Sequence, residues 1–235
     1  MARIALDAGH GLATPGKRCL KSLDKNETRE WILNNRVANH VEDLLKGYAG
    51  AAILRVDDRT GARDIPLSER TKKANDWKAD IYISIHHDAG INGGSGGGVT
   101  VYRYPNSSKM TKAMLQQLYN AIVKHNKLKG NRSSPLNDTN FQVLRQTNMA
   151  AALIENGFMD SRTDVPIILS DAHARKTAEG IVEFLVNHFK LRPAATTTYR
   201  VRVDGKQVGA YSEVSNILSA VEKNLGKNLI EIEKI

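Results

Sequence analysis

His10, Glu30, His86 and Glu155 are the residues of this 235-residue chain best suited to joint chemistry. Two imidazoles and a carboxylate can hold a zinc ion and leave its fourth position open for water. A second carboxylate nearby can take that water's proton. The local contexts favour such a grouping. His10 follows the apolar run Ile4-Ala5-Leu6 and sits between Gly9 and Gly11. His86 closes Ile81-Tyr82-Ile83-Ser84-Ile85, although His87 and Asp88 follow at once, so position alone leaves either histidine open as a ligand. Glu30 opens a helical pattern in which Glu27 is an equal alternative, one turn earlier. Glu155 ends the apolar run Met149 to Ile154, where a carboxylate is costly to bury unless it holds a proton, a metal or a donor.

The elements that must position these residues alternate in type. Residues 2 to 8, 51 to 56, 79 to 86, 98 to 104 and 150 to 155 read as buried strands. Between them run amphipathic helices, the first from about Glu27 to Lys46 with Leu33, Val37, Val41, Leu44 and Leu45 on one face. A second follows Pro66 to Trp77, a third spans about Lys109 to Leu128, and the last runs from Asp171 to Leu191. The pattern predicts an α/β domain, a mostly parallel twisted sheet with helices on both faces. Sites in such folds lie at the carboxyl ends of strands, where His10, His86 and Glu155 are each expected. Strand alternation separates Ile81, Ile83 and Ile85 from Tyr82, Ser84 and His86. The glycine-rich stretch 93 to 98 reads as a flexible loop rather than a phosphate cradle, since it lacks the P-loop lysine and Ser/Thr. Its expected task is to lead the chain past the metal.

Residues 192 to 198, Arg-Pro-Ala-Ala-Thr-Thr-Thr, read as a linker between a domain at 1 to 191 and a small piece at 199 to 235. That piece predicts a strand from Tyr199 into a turn at Gly205, a helix over 212 to 225 and a strand over 228 to 235, a βαβ-like α+β unit. About forty residues form a marginal fold, so the piece is expected to pack on a partner surface, either the main domain or a second copy of itself in a homo-oligomer.

The formal charge is +9. Residues 194 to 235 hold six basic against five acidic residues, so an excess of +8 belongs to residues 1 to 193. Such charge suits an anionic partner such as wall polymers, or a merely solubilising surface. No dense arginine patch, recognition helix or run of stacking aromatics points to nucleic acid. No apolar run approaches a membrane span, and the N-terminus reaches Asp7 too early for a secretory signal, so synthesis in a cytoplasm is expected. The single Cys19 allows no intramolecular disulfide and is read as incidental in a polar loop.

Five motifs in order resemble the zinc-dependent N-acetylmuramoyl-L-alanine amidases of the amidase-3 type. Asp7-Ala8-Gly9-His10-Gly11 resembles their opening Asp-Pro-Gly-His-Gly-Gly, and Glu30-Trp31-Ile32-Leu33-Asn34 their Glu-x-x-Leu-Asn helix start. Leu67 to Asn75 is similar to Leu-x-x-Arg-x-x-x-Ala-Asn, Ser84 to Asp88 to Ser-x-His-x-Asn, and Glu155 to Phe158 to Glu-x-Gly-Phe. The resemblance covers residues 1 to about 191. It favours Glu30 over Glu27 and His86 over His87, and implies Zn²⁺ on His10, Glu30 and His86 with Glu155 as general base. The implied reaction splits the amide between the lactyl group of N-acetylmuramic acid and L-alanine in peptidoglycan. Ala8 stands for the usual proline, Leu12 for the second glycine and Asp88 for the asparagine, and the stretch Lys17 to Glu27 is long and polar. No ligand is lost. Asp7 is read mainly as structural.

Tyr199 to Tyr211 resembles the small C-terminal domain of Bacillus-type phage lysins, which implies wall binding and a phage or prophage endolysin released by a holin or by lysis. The rivals are a host sporulation or autolytic amidase, a zinc peptidase or deacetylase on wall fragments, and a decayed wall-binding protein. The intact quartet argues against the last.

Overall fold

The computed structural model describes residues 1–195, 198–227 and 229–235, which divide into two compact units, Met1–Arg192 and Pro193–Ile235. In the first, strands β1 (Ala2–Ala8), β3 (Ala51–Arg55), β4 (Ile81–Asp88), β5 (Val99–Arg103), β6 (Leu136–Asp138) and β7 (Ala150–Phe158) form one sheet in the order β3-β1-β4-β7-β5-β6. The first four run parallel, while β5 pairs antiparallel with β7 and parallel with β6. The two-residue strands β2 (Tyr48–Ala49) and β8 (Arg192–Pro193) pair separately.

Central parallel strands are covered on both faces, and their sequences are accordingly apolar throughout. On one face Ile4, Leu6, Ile81, Ile83, Ile85 and Ile154 pack under α1 (Glu30–Leu45), α3 (Lys109–Asn126) and α6 (Asp171–Phe189). On the other, Ala5, Tyr82 and Leu153 pack with Ala74 of α2 (Leu67–Asp76) and with Val143 and Leu144 of the short α4 (Gln142–Arg145). A further short helix, α5 (Val165–Ile168), precedes α6. Ser108 and Ser170 start α3 and α6 by accepting the backbone N–H of Thr111 and His173. The expected mostly parallel α/β sheet is present.

Helix α1, strand β7 and Cys19 each depart from expectation for a local reason. Helix α1 starts at Glu30, not near Glu27, whose φ of 48° takes it out of the helical region. Residues before it are tied into a loop, where Asp24 accepts the N–H groups of Asn26 and Thr28. Strand β7 does not stop at Glu155 but runs to Phe158, because β5 pairs alongside it and Val99 lies opposite Asn156. Cys19 is buried in the larger core rather than sitting in a polar loop, and burial pushes its thiol up to about 12.

In the second unit, β9 (Tyr199–Val203) is the centre of a three-stranded antiparallel sheet, flanked by β10 (Lys206–Tyr211) and β11 (Ile230–Lys234), with α7 (Val214–Glu222) between the last two in sequence. The βαβ-like reading therefore gains the strand β10, and the order is ββαβ. Val201, Ile217 and Ala220 form its small core. The linker reading at 192 to 198 and the strand start at 228 fall partly outside the described residues, at 196, 197 and 228.

Candidate active site

Strand register brings the site together. Gly9 donates its N–H to the Ile85 carbonyl at 3.0 Å, which holds the chain leaving β1 beside the end of β4. A Cβ on Gly9 would lie 2.0 Å from the His86 ring, so only glycine permits this approach. His10 itself takes φ 66°, a left-handed backbone that a non-glycine residue adopts at a cost. Its ring meets that of His86 edge-on, with centroids 4.9 Å apart. From the first turn of α1, Glu30 reaches both rings: Oε1 accepts from His86 Nδ1 at 3.0 Å, and Oε2 lies 3.4 Å from His10 Nε2. The candidate ligand atoms of His10, Glu30 and His86 all lie within 4.8 Å of one another. Glu155 stands directly opposite His86 across the β4–β7 pairing.

Burial would raise the pKa of Glu30, but the hydrogen bond from His86, followed by the charges of His86, His10 and Lys17, draws it down to about 2. Burial lowers His10 to about 4, against the pull of Glu30. At neutral pH the cluster thus offers a carboxylate and a neutral imidazole lone pair. Glu30 Oε2 is buried without a hydrogen-bond partner, and so is Glu155 Oε2. Burial, then the charges of Glu30 and Asp88, raises Glu155 well above the usual carboxylate range. A buried carboxylate with one imidazole at each oxygen, and with Oε2 lacking a hydrogen bond, is a donor set that a cation satisfies.

The N-acetylmuramoyl-L-alanine amidase family of the amidase-3 type matches residues 4–187. The chain belongs to that family. It is 32% identical over 203 residues to N-acetylmuramoyl-L-alanine amidase CwlM of Bacillus licheniformis, covering 86% of this chain and 75% of that one. It is 29% identical over 220 residues to a sporulation-specific N-acetylmuramoyl-L-alanine amidase of Bacillus subtilis, covering 92% and 78%. An endolysin of Bacillus phage SPP1 is 30% identical over 192 residues, covering 80% and 66%. The crystal structure of an N-acetylmuramoyl-L-alanine amidase from Clostridium difficile 630 superposes with a TM-score of 0.71 at 26% identity, covering 80% of this chain and 97% of that one. The enzyme is therefore a peptidoglycan amidase.

Around the quartet this amidase has supports that the sequence reading did not single out. Asn34 donates Nδ2 to the Gly9 carbonyl at 3.1 Å and to Glu30 Oε1 at 3.4 Å, while its Oδ1 accepts from His87 Nδ1 at 2.8 Å. His87 is thus the buried partner of α1, and burial lowers it to about 3. The signal was available: the alternation that puts Ile81, Ile83 and Ile85 on the helix-covered face continues to His87. Arg70 is the second omission. Fully buried, it donates to Asp7, to the Ala8 and His10 carbonyls, to Ile65 and to Asp64, which fixes the His10 turn against α2. Burial would raise Asp7, but Arg70, His86 and a hydrogen bond from Ser84 hold it below its usual value. Asp7 contacts Arg70, Tyr82 and Ser84, so it braces the strand end and touches neither histidine by hydrogen bond.

The polar stretch after Gly11 carries Lys17, whose Nζ lies 3.6 Å from Glu30 Oε2 and whose carbonyl accepts the Glu30 N–H. The glycine loop is tied down rather than flexible. Asp160 Oδ2 accepts three consecutive N–H groups, of Gly90, Ile91 and Asn92, and Asp164 Oδ2 accepts those of Gly98 and Phe158. Its glycines serve close backbone packing, since a Cβ on Gly98 would come within 2.5 Å of Gly130.

Proposed function

We propose that this amidase uses Zn²⁺ held by His10, Glu30 and His86, with Glu155 as the proton carrier, to cut the bond between N-acetylmuramic acid and L-alanine. The single observation that supports it most is the convergence of His10, Glu30 and His86, whose ligand atoms all lie within 4.8 Å of one another, with the buried Glu155 Oε2, which lacks a hydrogen-bond partner, on the adjoining strand. The donor set is two nitrogens and one carboxylate, a set suited to zinc with an open position. When bound, zinc polarises the scissile carbonyl and acidifies water.

Glu155 takes a proton from the attacking water and delivers it to the alanine nitrogen as the C–N bond breaks. Its raised proton affinity suits the second half of that task, and a dication beside it favours the carboxylate needed for the first. Asn34 and Arg70 hold Glu30 and the His10 turn in place so that little reorganises during the reaction.

The test is digestion of purified peptidoglycan with and without a zinc chelator, scoring new amino termini against new reducing ends. Chelator-sensitive release of N-terminal alanine without reducing ends is expected. Reducing ends, or no alanine amine with zinc supplied, would overturn the reading and admit the peptidase or deacetylase alternatives.

The role that we infer is that of a phage lysin, supported by the likeness to the endolysin and by a second unit suited to wall attachment. A host sporulation role has its own support, because the sporulation-specific relative aligns over a larger share of this chain. Co-expression with a holin in a growing Bacillus host should cause prompt lysis. Inertness toward vegetative walls together with digestion of sporulating-cell walls would favour the host role instead.

A further inference from the structure

Arg132 occupies the Glu155 side of the site and has no role in the reading above. Its guanidinium lies 4.6 Å from the centroid of the Phe158 ring, three residues beyond Glu155 on β7. One nitrogen, Nη2, donates to Asp88 Oδ2 at 3.3 Å, on β4 two residues past His86. Asp88 is the only hydrogen-bond acceptor of Arg132 among the described residues, so most of its five donors point at no protein atom. The side chain is 35% exposed.

The segment that carries Arg132 is set before substrate arrives. Asn131 accepts the Gly97 N–H at 2.9 Å, Leu128 accepts that of Val99 at 3.0 Å, and Gly130 packs backbone to backbone against Gly97 and Gly98. An aromatic face below and a carboxylate at one corner orient a planar fork whose other edge is free. Such a fork matches a carboxylate in two-point contact.

The chemistry fixes which half of the substrate meets it. Glu155 protonates the departing alanine nitrogen, so the peptide must leave on the Glu155 side. The acyl half is left the cavity of ≈ 350 Å³ that adjoins His10 and His86 and is lined also by Asp64, Pro66 and Leu67. We propose that Arg132 is a specificity-determining residue that binds a carboxylate on the peptide side of the scissile amide. The first such group in an unamidated stem is the α-carboxylate of the D-glutamate that follows L-alanine. The inference rests on Glu155 serving as the proton carrier.

The experiment compares soluble, uncrosslinked glycan strands whose tripeptide stems carry either D-glutamate or D-isoglutamine. Alanine-amine release is followed for the wild type, Arg132→Gln and Arg132→Lys, with zinc content and melting temperature as controls. The wild type should favour the free acid by about tenfold in kcat/KM, the size of one charge-assisted contact. Arg132→Gln should bring the ratio near one through KM, and Arg132→Lys should restore part of it. A wild type without preference, an Arg132→Gln variant that keeps it, or a loss confined to kcat and equal on both strands would each overturn the proposal. Absence of alanine-amine release from both strands by the wild type would instead refute the amidase mechanism itself, and the Arg132 role with it.

Discussion

The Glu30 carboxylate contacts His86 from α1 and Glu155 stands opposite His86 on β7, yet their surroundings push the two in opposite directions. Two histidines draw Glu30 down to about 2, and burial beside other carboxylates lifts Glu155. In the proposed mechanism this division would give the metal a permanent anion and the reaction a group able to hold a proton. Glu155→Gln should therefore keep its zinc while kcat falls by about 10² to 10⁴-fold, as judged by metal analysis and alanine-amine release. His86→Ala should lose the metal, and a normal zinc content there would remove His86 from the ligand set. The metal-free enzyme should also be acid-sensitive. His10 and His87 have folded values of about 4 and 3 against an ordinary 6.5, so below pH 6.5 the unfolded chain binds protons that the folded chain refuses. Stability should fall from about pH 6.5 toward 3, by up to ~1.4 kcal/mol per unit for each imidazole, and thermal melts of chelated protein would show it. Much of this was legible: residue type and strand-end position marked His10, His86 and Glu155. Glu30 needed the family motif, because only tertiary structure shows that Glu27 turns away to Arg18 and Lys21.

Among the elements, α2 and β1 are joined through one buried arginine. Arg70 and Asp7 are each about 1% exposed, so Arg70→Met would strand the Asp7 carboxylate in the core. A loss of about 3–5 kcal/mol in denaturant unfolding is expected, with metal affinity falling as the His10 turn loosens. A loss below 1 kcal/mol would show that water reaches Asp7 and that the pair is not the brace described here. The four parallel strands and the long helices were readable because they are continuous apolar runs or sustained helical stripes, such as Ile81 to Ile85 or Leu33 to Leu45. Strand β6 was not, since Leu136–Asp138 is too short to carry a period. Strand β10 was missed for a related reason: its side chains are mostly exposed, and its pairing with β9 shifts register between Gln207 and Gly209. The antiparallel course of β5 is invisible in its own residues, because a strand covered on both faces reads alike in either direction.

At the scale of the whole molecule, catalysis and core belong to the first unit. Both larger cores and all four residues of the quartet fall within residues 1 to 192, whereas the core cluster of the second unit, among the described residues, is Val201, Ile217 and Ala220. None of the helices among the described residues is long and apolar enough to cross a membrane. The basic excess of +8 in residues 1 to 193 would give long-range attraction to an anionic wall polymer, and exposed Val214, Leu218 and Leu225 would give the second unit apolar surface for a short-range contact. Attachment that combines the two should exceed either alone through effective concentration. Ending the chain at residue 192 should therefore leave turnover of soluble muropeptides within about twofold, while binding to intact walls falls by about tenfold or more. The residual binding should weaken steeply as salt rises, since only the charge of the first unit remains. Pelleting with purified walls at several ionic strengths, beside a soluble-substrate assay and light scattering, separates the outcomes. Unchanged pelleting with a halved molar mass would make the second unit a self-association piece. Loss of soluble turnover would mean that it supports the catalytic fold instead.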